Sequence, residues 1–336
     1  MSQDEIVVAN PPAIPGLRFR AFRGAADYPG MAAVLNASSL ADRIERADTA
    51  QEIADNYAHR LTHCDPARDM IFAEVEGEMV GYSRGWWWDE SSTGRIYEMV
   101  GFLVPAWRWK GAGRAMLRWM ENRLRHLAET HPPEAPKFFQ VSVSQFQEGA
   151  ARMLEREGYR AIRFFHDMMR PSLEDIPDWP LPEGLELRPA SPEHYRAIWA
   201  SVDEASQDEW GYTRPTEEDY QAWLESKTFQ PDLWQIAWDM ATEQVAGHVL
   251  TFIQHDENRK FNRRRGHTEG IGVGRSWRRR GLARALIGRS LIAQKAAGMT
   301  ESALSVDTEG STGATRLYEA CGFRVVRRDA IYRRPV

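Results

Sequence analysis

The sequence is poor in cysteine. Cys64 and Cys321 are all that its 336 residues contain, too few for a disulfide framework and in keeping with a reducing compartment. It has no apolar run approaching the ~20 residues that span a bilayer, so no membrane partner is expected. The opening stretch MSQDEIVVANPPAIPG meets acids before any apolar segment, unlike a secretory signal. A cytoplasmic protein with a flexible N-terminal arm over 1–16 is the expectation. Positive charge is not in excess: the formal net charge of −5 argues against a dedicated nucleic-acid partner. No G-x-x-x-x-G-K-[ST] occurs, which excludes a P-loop nucleotidase. Gly270, Gly272 and Gly274 fall short of a dinucleotide fingerprint, because a third correctly spaced glycine is missing. His59 and His63 are four apart on an expected helix, but the Glu of H-E-x-x-H is absent, and no metal is expected.

What is present is ordinary in bulk, at 43% hydrophobic and 27% charged residues. The length predicts two domains. Pro171, Pro177, Pro180 and Pro182 crowd a short acidic stretch, which marks a linker over 171–183 between domains at 17–170 and 184–336. Apolar periodicity predicts the same order in each half. Strand, two helices, three strands, helix, strand, helix and strand run from 17 to 169, and again from 185 to 333. Each half therefore reads as an α/β unit, an α+β mixed sheet with flanking helices. Trp86, Trp87 and Trp88 are consecutive. On a strand their rings must alternate between the two faces, as sheet packing or as the wall of a cleft.

One pattern occurs twice. Arg108-Trp109-Lys110-Gly111-Ala112-Gly113 and Arg278-Arg279-Arg280-Gly281-Leu282-Ala283 each follow an expected strand and open an expected helix. Small residues let backbone N–H groups approach a phosphate, the helix N-terminus adds partial positive charge, and the arginines add full charges. A tight strand-to-helix turn also demands glycine on steric grounds, so either loop alone is a weak signal. Each loop is followed by a Gly-aromatic pair, Gly158-Tyr159 and Gly322-Phe323. In the second half a strand ending in Val273 precedes the loop, and Ala314-Thr315-Arg316-Leu317-Tyr318-Glu319-Ala320-Cys321-Gly322-Phe323 follows it.

This combination resembles the GNAT superfamily of acetyltransferases, and the tandem layout is similar to mycothiol synthase and its relatives. The resemblance implies two tandem GNAT-like domains, each a central, mostly antiparallel sheet with splayed strands. It implies acetyl-CoA as co-substrate, no metal, and a loop whose amides and arginines bind the pyrophosphate. The pantetheine would lie between strands near 267–274 and 302–306, bonded near Ile271 and Val273, with Ser311 at the place of a common Asn. Tyr318 matches the family's usual acid, and Glu269 is the candidate base. His267, Asp307 and Glu309 are lesser candidates.

The first half keeps Val104, Arg108, Gly111 and Gly113, so an acyl-CoA loop is plausible there, with Trp109, Lys110 and Ala112 completing it. Its tyrosine position holds Leu154, which cannot donate a proton. Glu98 lies near the strand acid's position with its register one residue off. The second half is thus expected to transfer acetyl to a primary amine of a small molecule, in a monomer or homodimer. An acyl-CoA-binding sensor and an acetyltransferase of peptide amines remain the alternatives.

Overall fold

The computed structural model describes residues 4–59, 61–90, 94–310 and 313–336. The chain forms two compact units, one comprising residues up to Arg163 together with Asp329–Val336, the other Phe164–Arg328. Their elements run in chain order from β1 (Leu17–Arg20), α1 (Tyr28–Ala41), α2 (Ala50–His59), β2 (Met70–Val75), β3 (Glu78–Glu90), β4 (Gly94–Leu103) and α3 (Ala112–Glu129) to β5 (Lys137–Ser144), α4 (Glu148–Arg156) and β6 (Arg160–Arg170). Then follow β7 (Leu185–Leu187), α5 (Tyr195–Ser206), α6 (Glu217–Leu224), β8 (Gln235–Asp239), β9 (Gln244–Val249), β10 (Phe252–Ile253) and α7 (His255–Lys260). The chain ends with β11 (Arg265–His267), β12 (Gly272–Val273), α8 (Leu282–Ala296), β13 (Glu301–Asp307), α9 (Ala314–Ala320) and β14 (Arg324–Pro335).

In the first unit β1 to β5 lie in chain order, antiparallel except for the parallel pair β4–β5. One face receives α3, whose Met116, Met120 and Leu124 recur at helical spacing and are buried with Ile71, Tyr97 and Met99. Full burial of side chains such as Met120 and Leu124 stabilises by roughly 1.5–3 kcal/mol each. The other face receives Met31 and Val34 of α1 and Ile53 of α2 against Met70, Phe72 and Tyr82. The tryptophan triplet lies on β3 and alternates as its strand dictates. Trp86 and Trp88 stack on one side at 6.5 Å between ring centroids, while Trp87 turns to the other and stacks on His63 at 3.8 Å.

The sheets trade strands at the end of each half. Asp329–Pro335 of β14 pair with β5 and so belong to the first unit, whereas Phe165–Arg170 of β6 pair with β13 in the second. Arg333 anchors the returning strand through a buried bidentate pair with Glu90, at 2.8 Å to each carboxylate oxygen, and a 2.6 Å bond to Gln140. The expectation of a flexible arm over 1–16 is corrected for its described residues. The Ile6 N–H donates to Phe19 O at 2.8 Å and the Ala21 N–H to Asp4 O at 2.9 Å, and Val8 is buried in the first core. Alternating Ile6 and Val8 give the arm an apolar side to bury, which its leading acids concealed.

The second unit packs Leu282, Leu286, Ile287 and Leu291 of α8 against Ala237, Ala246, Leu304 and Val306. A separate aromatic cluster joins Trp234, Ile236 and Trp238 to Ile198 of α5. One expected strand, 267–274, is broken. β11 pairs parallel with β13 up to His267–Ala303, the chain turns at Gly270 (φ 55°), and β12 pairs instead with β9. A positive φ of that kind suits glycine. The strand thus leaves β13 and crosses to another partner, opening a fork between β11–β12 and β13.

Candidate active site

The two anion loops share one backbone conformation. Arg108 (φ −68°, ψ 156°) and Arg278 (φ −62°, ψ 148°) are extended. Trp109 (φ 65°) and Arg279 (φ 63°) are left-handed, as are Gly111 (φ 95°) and Gly281 (φ 90°). Left-handed residues set into such a loop turn successive N–H groups toward one side, where the helix start adds its dipole, a concavity suited to an anion. Ala112 and Leu282 are buried at the first helical position and fix each loop to its core. Lys110 lies over Trp107 at 4.5 Å, and Arg280 over Trp277 at 4.9 Å, so the pattern repeats down to its cation–π contact.

The arginines that open the loops differ in their partners. Each donates through Nε to the strand end, Arg108 to Leu103 O at 3.3 Å and Arg278 to Val273 O at 3.2 Å. Arg108 also makes a bidentate pair with Asp42 at 2.6 and 2.9 Å, and Asp42 is buried at the end of α1. Gln147 Nε2 donates to the same carboxylate at 3.0 Å. Arg278 meets the exposed Asp208 through one nitrogen at 3.2 Å, and shares it with Arg275. Arg279 and Arg280 are exposed.

Beyond the second loop lies the fork. Glu269 stands where β11 has parted from β13, and its carboxylate accepts the Ser305 N–H across the gap at 2.9 Å. Burial raises its pKa to about 7 against the pull of that hydrogen bond, with the Asp167 carboxylate adding to the rise. Tyr318 is 8% exposed on α9, edge-on to Phe323 at 6.4 Å between centroids. Burial pushes its phenol up, and the nearby charges of Glu269 and Glu209 push it further. Ile271 and Val273 pack half-buried against the second core. Ser311 lies outside the described residues.

The other candidates are otherwise engaged. His267 stacks on Phe252 at 4.7 Å, and burial holds its pKa down at about 4. Asp307 accepts the Glu309 N–H at 3.0 Å. Arg263 pairs with Glu257 and Arg265 with Glu301. The side chain of His59 lies outside the described residues. Among the described residues no group of His, Cys, Asp and Glu could hold a metal ion, and no helix is long and apolar enough to cross a membrane.

The first unit has a fork as well. β4 pairs with β5 only from Arg95–Lys137 to Glu98–Gln140. At that last pair Glu98 accepts from Gln140 Nε2 and Ser142 Oγ, each at 3.2 Å. Burial raises Glu98 to about 7, as it does Glu269. Counting back from the loops sets Glu98 one place off register. That count assumes two regular strands, and the second turns at Gly270. The burial of Tyr97 and Met99 in the first core is the signal that turns Glu98 to the other face of the sheet. Leu154, at the tyrosine position of this unit, is buried in the first core.

Residues 35–159 and 199–323 each match the acetyltransferase (GNAT) family. A mycothiol acetyltransferase of Thermobifida fusca is 27% identical over 332 residues, which span 90% of this chain and 94% of that protein. The crystal structure of a GCN5-related N-acetyltransferase from Sphaerobacter thermophilus superimposes with a TM-score of 0.78 at 26% identity, covering 98% of this chain and 97% of that one. A tandem GNAT protein from the clavulanic acid biosynthesis pathway shares the fold at TM-score 0.67 and 14% identity, over 95% and 98% of the two chains.

Proposed function

The chain belongs to the acetyltransferase (GNAT) family, which it matches twice over, and on that premise we propose that its second unit transfers acetyl from acetyl-CoA to a primary amine of a small molecule. The observation that carries this reading is the fork, where Glu269 bridges to the Ser305 N–H with Tyr318 in reach of its charge. The match to a relative named for mycothiol, over nearly its whole length, favours a discrete molecule as acceptor.

Acetyl-CoA supplies an activated thioester, and the chain's residues bind and move protons. The N–H groups of the loop from Arg279 to Ala283, with the charges of Arg279 and Arg280, hold phosphate oxygens. The stretch Ile271–Val273, drawn away from β13, offers backbone groups to the pantetheine amides. Glu269, with a pKa of about 7, is half ionised at neutral pH and takes the proton from the acceptor ammonium, directly or through water. Tyr318 stays protonated across the neutral range because burial raises its pKa. Its O–H donates to the negative charge that develops on the departing sulfur.

The test is a thiol-release assay with acetyl-CoA across amine classes, followed by Tyr318→Phe with the best acceptor. Loss of a group that acts on the leaving thiolate is expected to lower kcat about 100-fold while leaving the KM for acetyl-CoA within about twofold. Turnover with no amine, or an unchanged kcat in the variant, would overturn the reading.

A further inference from the structure

Two glycines stand beside the phosphate approach in each unit: the loop glycine that precedes the helix, and the glycine at the start of the helix leading to the Gly-aromatic pair. They are Gly281 and Gly313 in the second unit, Gly111 and Gly149 in the first. Among the described residues, a Cβ placed on Gly281 or Gly313 meets no atom within 4 Å. The loop glycine of the second unit is thus clear of its described neighbours.

In the first unit both positions are filled by the chain itself. A Cβ on Gly111 would lie 3.0 Å from Pro12 Cβ, and one on Gly149 would lie 2.8 Å from Cζ2 of Trp109. Trp109 is the loop's own second residue. It is 73% exposed, so its indole spans from the loop to the first turn of α4 without being drawn into the core. Pro12 is held from both sides. Its carbonyl accepts the Ile14 N–H at 2.8 Å, and the arm before it is pinned by the Ile6–Phe19 and Asp4–Ala21 backbone bonds. With Pro11 beside it, the segment has little backbone freedom to lose on ordering. Behind the loop, Arg108 is already neutralised by the buried Asp42. A phosphate arriving there would meet a ring and a proline where the second loop presents open backbone.

We infer that the first loop is closed to acyl-CoA by Pro12 and Trp109 of this same chain, and that each chain takes up one CoA, at the second loop. The inference rests on the reading of the second loop as the CoA site. The first loop keeps the family's conformation as a structural turn, and the arm and indole act as its stopper. A solvent-open cleft of about 550 Å³, lined by Ala13, Ile14 and Pro15 of the arm and by Trp107 and Lys110, lies beside these residues.

Native mass spectrometry of the full chain with CoA is expected to show one ligand per chain. Hydrogen exchange of the same sample is expected to slow at 279–285 and not at 109–115. The double variant Pro12→Gly, Trp109→Ala is expected to take up a second CoA, with new protection at 109–115. Two ligands on the unaltered chain, or protection at 109–115 in it, would overturn the inference and leave the proposed function standing. No CoA at either loop would sink both. A double variant that stays at one ligand would remove Pro12 and Trp109 as the closing residues. The unaltered chain decides the stoichiometry even if the variant folds poorly.

Discussion

The two anion loops are nearly the same object in different surroundings. Their dihedral angles agree within a few degrees to about ten degrees, and each carries a cation over the tryptophan that precedes it. What differs is what lies beside them: a free glycine edge at Gly281, a proline at Gly111, an exposed Asp208 against a buried, bidentate Asp42. The forks show the same split. Both hold a carboxylate whose pKa burial raises to about 7, yet the charge of one acts on Tyr318, while the matching position of the first unit holds Leu154. A motif therefore fixes a backbone shape, and its neighbours decide whether that shape is a site.

The largest effect tests the open loop. Gly281→Glu places a bulky anion where the N–H groups converge, at a φ of 90° that side chains resist. CoA affinity is expected to fall more than about 100-fold by calorimetry, with a thermal melt to show that the chain still folds. Retained binding with one ligand per chain would put that ligand on the first loop and break the comparison.

Next in size is the base. In the folded chain Glu269 ionises near pH 7, so kcat/KM is expected to rise with pH through a limb near 7 and flatten above it. Glu269→Gln should lower kcat/KM by about 100-fold and erase that limb. The acceptor amine's own titration is common to both enzymes and cancels in the ratio. A limb that persists in the variant would assign the proton transfer elsewhere, with Asp167, whose charge acts on Glu269, and Glu209, whose charge acts on Tyr318, as the remaining carboxylates.

Much of this was legible in the sequence, for identifiable reasons. Helices such as α3 declare themselves through Met116, Met120 and Leu124, and the Glu76-Gly77 turn announces the β2–β3 hairpin. Tyr318 could be placed because a fixed spacing to Gly322 and Phe323 carries it onto α9. The traded strands could not be read. Asp329–Pro335 read as the end of an ordinary strand, and nothing local says that the partner is β5, far back in the chain. Nor could the stopper be read, since the approach of Pro12 to Gly111 is a long-range contact between two loop-like segments. The ordinary appearance of Glu98 has a similar cause. Its importance lies in the point at which β4 leaves β5, and strand pairing has no signature in either strand alone.

The smallest effect concerns that residue and separates the two carboxylates. Glu98 carries a folded pKa of about 7 against an ordinary 4.5. Below pH 4.5 it is protonated in the folded and unfolded chain alike and costs nothing. Between 4.5 and 7 the unfolded chain releases the proton and the folded one retains it, so stability falls as pH rises and the loss is complete above 7. Glu98→Gln removes that titration while keeping an oxygen for Ser142 to donate to. The melting temperature of the variant relative to the unaltered chain is therefore expected to be a few degrees higher at pH 8 than at pH 5, given about 2–4 °C per kcal/mol for a unit of this size. The same variant should keep the limb of kcat/KM near pH 7, because that limb belongs to Glu269. A stability difference independent of pH would return Glu98 to an ordinary ionised side chain. A lost limb would make the first fork a partner in the chemistry, and the contrast between the two units would then rest on their loops alone.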